Sequence, residues 1–106
     1  MTNFTHTVTD QGDHVLLVLA GDLDFAAHGT LATQISTLLA VGRGVVVDCS
    51  GVTFLDSMGL RALIEGVRTA AVAGLGFELA EPSQPVLRVL ELSGTEELFR
   101  IRGPQA

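Results

Sequence analysis

The stretch Val46-Val47-Asp48-Cys49-Ser50-Gly51-Val52-Thr53-Phe54-Leu55-Asp56-Ser57-Met58-Gly59-Leu60 decides how the rest of the chain is read. Its β-branched start, together with Val45, is too short for a helix and follows the turn residues Gly42 and Gly44, which predicts a buried strand over Gly44–Cys49. Ser50 to Asp56 reads as a polar loop. Leu60, Leu63, Ile64, Val67 and Ala71 then recur at helical spacing, which predicts a helix from Ser57 to Ala73 with that stripe on a sheet. In α/β proteins the edge where a strand hands over to a helix N-terminus is where sites collect.

Working outward, Phe4, His6 and Val8 alternate with Thr5, Thr7 and Thr9, the period of a half-exposed strand. Asp10-Gln11-Gly12-Asp13 supplies a tight turn, and His14 to Ala20 is apolar on both faces, as an inner strand should be. The two form a hairpin, with the inner strand beside Val45-Val46-Val47. Asp24 caps a first helix carrying Leu31, Ile35, Leu38 and Leu39, which Gly42 and Gly44 stop. Downstream, Gly74 closes the second helix and Leu75, Phe77 and Leu79 alternate in a fourth strand. Pro82 and Pro85 launch a short helix with Val86, Val89 and Leu90, ended by Gly94, and Phe99 with Ile101 gives a last short strand or turn. This order predicts one α/β domain over residues 1–106, a mixed four- to five-stranded sheet packed with helices.

Composition narrows the function. The 106 residues leave room for one domain, and 47% of them are hydrophobic against 17% charged, enough for a real core. Twelve acidic residues against six basic ones give a net charge of −6, which repels nucleic acid and anionic membrane surfaces. All six basic residues are Arg, so Schiff-base chemistry and the phosphate-loop lysine drop out. The single Cys49 forms no internal bridge, and Met1 to His6 lacks the charged leader and apolar run of a signal peptide, so a cytoplasmic protein is expected. No spanning segment is present either, the longest clean apolar run being Val15 to Ala20.

Ser57 opens the second helix and reads as its N-cap. A helix N-terminus also accommodates a phosphate, which makes Ser57 a candidate phosphoacceptor. A nucleophile elbow is not supported: Leu55 stands where its first Gly belongs, and His6, His14 and His28 all precede Ser57. A receiver domain phosphorylated on Asp48 lacks its lysine, and the scattered histidines offer no metal ligand set. No catalytic residue, cofactor or metal is expected. Gly59, Ala62, Gly66 and Thr69 form a stripe of small residues where something approaches closely, read as the seat of a neighbouring helix of the same chain in preference to a partner protein.

The segment Asp48 to Leu60 resembles the signature of the STAS family, specifically the bacterial anti-sigma factor antagonists. The resemblance extends to Gly21-Asp22-Leu23-Asp24 and Leu98-Phe99-Arg100-Ile101, and so spans essentially the whole chain as a single STAS domain. It implies that Ser57, the serine of Asp-Ser-x-Gly-Leu, is phosphorylated by a partner anti-sigma factor, a serine kinase of the histidine-kinase-like ATPase fold. It further implies that the unphosphorylated form binds this kinase and frees a sigma factor, and that a metal-dependent serine phosphatase resets the phosphorylated form. Asp22, Asp24 and Asp56 would then form an acidic rim toward Arg on the partner, with Met58 and Gly59 in the contact. Met58 replaces a small residue often found there, enlarging the apolar surface and tuning which kinase binds. Asp22 and Asp24 read equally as a loop residue and a helix cap. A rival expectation is the STAS subunit of a lipid-transport ATPase complex, which shares the fold.

Overall fold

The computed structural model describes residues 3–103. Strand β1 (Phe4–Asp10) pairs antiparallel with β2 (His14–Leu23) in an unbroken register from Phe4 opposite Gly21 to Asp10 opposite Val15. The remaining strands, β3 (Gly44–Leu55), β4 (Phe77–Ala80) and β5 (Arg100–Arg102), are all parallel to β2, and the sheet order is β1-β2-β3-β4-β5. Helices α1 (Phe25–Ala40), α2 (Ser57–Ala73) and α3 (Gln84–Ser93) make the connections, as parallel neighbours require. The mixed sheet has five strands, and Phe99 and Ile101 belong to a short strand and its approach rather than a turn.

Val15, Leu17 and Leu19 of β2, Val45, Val47 and Cys49 of β3, and Phe77 and Leu79 of β4 form the core. All but Val15 cluster with Leu31, Ile35 and Leu39 of α1, Leu60, Leu63 and Ala70 of α2, and Val86 and Leu90 of α3. The helix stripe differs from expectation at its end, where Ala70 is buried and Ala71 exposed. Of the small-residue stripe, Gly59, Ala62 and Gly66 are buried against the same chain, while Thr69 is exposed. A Cβ on Gly66 would stand 2.7 Å from the Phe77 ring and 3.0 Å from Ile35 Cγ2, so α1 and β4 approach α2 there more closely than alanine permits.

One boundary is overturned. Of the segment read as a polar loop, Ser50 to Asp56, all but Asp56 continues β3 beside β2, with Asp22 opposite Phe54 and Leu23 opposite Leu55. Two register irregularities in the β2–β3 pairing, at Val18/Ala20 and Gly21/Asp22, accommodate the extension. Gly21 sits at φ +92°, and a Cβ there would lie 1.8 Å from the Asn3 carbonyl oxygen, so only glycine fits where the three strands meet.

Candidate functional site

Because β2 and β3 end side by side, each hands over to its helix after a single aspartate. Asp24 precedes α1 and Asp56 precedes α2. Asp24 accepts from the Ala27 N–H at 3.1 Å through Oδ1, the N-cap its sequence position predicts. Asp56 is extended, at φ −106° and ψ −175°, and its Oδ1 accepts from the N–H groups of Met58 at 2.9 Å and Gly59 at 3.1 Å. Its other oxygen accepts from Phe25 N–H at 3.2 Å, so one carboxylate holds the start of both helices. The partial positive charge of two helix N-termini converges on it.

This geometry corrects the reading of Ser57 as the cap. A cap residue lies outside the helix and turns its side chain back on the first amides; Asp56 meets both conditions, while Ser57 is the first residue of α2. Ser57 is exposed, and the side-chain hydrogen bonds of this turn go to Asp56. The hydroxyl therefore stands free of the scaffold that presents it.

The other members of the expected site differ in what they do. Asp22 lies in β2, not in a loop, and accepts from the Thr53 hydroxyl at 3.1 Å. Asp22, Asp24 and Asp56 do share one corner of the molecule, yet each carboxylate already has a hydrogen-bond donor within the chain. Met58 is half-buried. Gly59 is buried against the chain itself, where a Cβ would stand 2.1 Å from the Leu23 carbonyl oxygen, so its place is set by packing of α2 on the end of β2.

Sequence reasoning overlooked Phe25 and Phe54. Phe25, the first residue of α1, is 75% exposed, and Phe54, two residues before Asp56, is 49% exposed. Isolated exposed apolar residues are ordinary on a protein surface. Two aromatics flanking one polar turn are the pattern that a protein interface uses for anchors. The readable signal was the position of each phenylalanine directly at a strand-to-helix handover.

Cys49 is buried, and burial followed by the charge of Asp48 pushes its thiol up to about 12. Among the described residues no group of three or more His, Cys, Asp or Glu side chains is placed to hold a metal ion. No helix among them is long and apolar enough to cross a membrane.

A family model described as Mlab, STAS domain, matches residues 6–101. The chain belongs to the STAS domain family. A STAS-domain-containing protein of Pseudomonas aeruginosa (strain UCBPP-PA14) is 30% identical to this STAS domain over 90 residues, 85% of this chain and 89% of the relative. Among solved structures, an anti-sigma factor antagonist from Mycobacterium paratuberculosis superposes with a TM-score of 0.82 at 24% identity, covering 95% of this chain and 86% of that one. The anti-sigma factor antagonist SpoIIAA in its unphosphorylated form gives 0.78 at 22% identity, covering 93% and 89%. These likenesses are of fold, and they place the strand-to-helix corner of this STAS domain within a shared architecture.

Proposed function

We propose that this STAS domain is an anti-sigma factor antagonist acting in the cytoplasm. Its unphosphorylated form binds a serine-kinase anti-sigma factor and so releases a sigma factor; phosphorylation of Ser57 switches that binding off, and a serine phosphatase restores it. The observation that carries the reading is the division of labour at the turn: Asp56 holds both helix starts, leaving the exposed Ser57 hydroxyl available for modification. Kinship in fold with anti-sigma factor antagonists supports it. The chain itself is proposed to have no turnover.

The switch has the right size. A phosphate adds about −1.5 to −2 charge at pH 7, one residue along the chain from the Asp56 carboxylate. A hundredfold loss of affinity requires about 2.7 kcal/mol, and like-charge juxtaposition at an interface costs several. Incubation with ATP and the cognate kinase should add one phosphate, located on Ser57 by mass spectrometry. Calorimetry should show the kinase bound by Ser57→Ala and at least about a hundredfold weaker for Ser57→Asp. A phosphate on Ser50 or Thr53, or equal affinity of the two variants, rejects the proposal. The lipid-transport alternative expects association with a transport ATPase that is the same for both variants.

A further inference from the structure

The two edges of the sheet are built differently. β5 has three residues, two of them the exposed arginines Arg100 and Arg102, which is how natural edges are guarded against pairing. β1 has seven residues, with no proline, no lysine or arginine, and no break in register along its length. Its one charge, Asp10, sits at the end and is engaged by Arg43 at 2.9 Å. Val8 leaves 47% of its surface in solvent on this edge.

The backbone parity of β1 follows from its end bonds. The Asn3 carbonyl accepts from Asp22 N–H at 2.8 Å and Gln11 N–H donates to the His14 carbonyl at 2.9 Å, so the odd-numbered residues face β2. In an antiparallel pair a residue directs both its backbone groups to the same neighbour. Phe4, His6, Val8 and Asp10 therefore point their N–H and C=O groups outward, a ladder without a partner among the described residues.

We infer that β1 is a self-pairing edge, through which two copies of this chain join antiparallel about a two-fold axis at Thr7. That register uses the whole strand: Phe4 meets Asp10 of the second copy and His6 meets Val8, both as hydrogen-bonded pairs. Thr7 meets Thr7 across the axis as a non-bonded pair, with Thr5 opposite Thr9. Like side chains meet on the same face, a threonine row on one side and the stacked Phe4 and His6 rings, 5.8 Å apart, beside Val8 on the other. Asp10 meets no carboxylate. The two-fold closes the assembly and leaves only the arginine-guarded β5 edges outside, so growth stops at two chains. A ribbon of this length buries less than the about 1,000 Å² of a standing complex, so the association is reversible and concentration-dependent.

Sedimentation velocity of the full chain over a roughly hundredfold concentration range should show the species moving toward twice the 11.1 kDa monomer mass. Thr7→Lys places two ammonium groups on the axis from an exposed position and should weaken association at least about tenfold, with an unchanged circular dichroism spectrum. Register is tested by cross-linking. Residues in a non-bonded antiparallel pair have Cα atoms about 4.5 Å apart, within disulfide reach, and the native Cys49 is too buried to interfere. Thr7→Cys should give a covalent dimer with oxidised glutathione, while Val8→Cys should not. A monomer at every concentration, as expected if another protein's strand uses this edge, overturns the inference. So does a dimer that Thr7→Lys leaves intact, or equal cross-linking of the two cysteine variants.

Discussion

At the level of single side chains, Asp56 and Ser57 are neighbours with opposite duties. Asp56 accepts three backbone N–H groups from two helices. Its removal costs a cap, about 0.5–2 kcal/mol, and the bond to Phe25 places Asp56→Ala at the upper end of that range. Ser57→Ala should change stability by no more than about 0.5 kcal/mol, because Ser57 caps nothing and alanine suits a helix well. Urea denaturation of the two variants separates these outcomes. Both aspartate and serine are good caps, so the sequence Asp-Ser does not say which of them turns inward. Only the extended backbone at Asp56 does.

Among the elements, the helices and the first hairpin were legible because their apolar residues keep a clear period. The far half of β3 was not. Its outward residues Ser50, Thr53 and Phe54 mix polar and apolar character, and the irregular pairing with β2 breaks the alternation by which a strand is recognised. The candidate corner was found, through Ser57 and the aspartates, but its two exposed phenylalanines were hidden by the ordinary expectation that phenylalanine is buried. The small-residue stripe of α2 gives the element-scale test. Gly66→Ala gains about 1 kcal/mol of helix propensity yet pushes a methyl against Phe77 and Ile35. Overpacking of about 1–3 kcal/mol should prevail. Gly59→Ala meets a backbone carbonyl that cannot rotate aside, so its loss of melting temperature should exceed that of Gly66→Ala.

For the molecule as a whole, the ends of the sheet opposite Ser57 are tied by Arg43. From the approach to β3 it reaches Asp10 and the Gly12 and His14 carbonyls of the hairpin turn. The hydrogen bond from Arg43, then that from the Gly12 amide, then the charge of Arg43 lower the Asp10 carboxyl from 3.8 to about 2. A folded value below the unfolded one means stability that is complete above pH 3.8 and lost as pH falls through about 2. An NMR titration should place Asp10 near 2 and show it returning toward 3.8 in Arg43→Ala. At the other end, the shared carboxylate has a kinetic meaning. The amide protons of Phe25, Met58 and Gly59 belong to two helices that start 32 residues apart, yet release of one side chain frees all three. In deuterium exchange, once each proton's intrinsic exchange rate is divided out, the three should share one protection factor, and in Asp56→Asn, where only one oxygen remains to accept, that of Phe25 should separate from the other two.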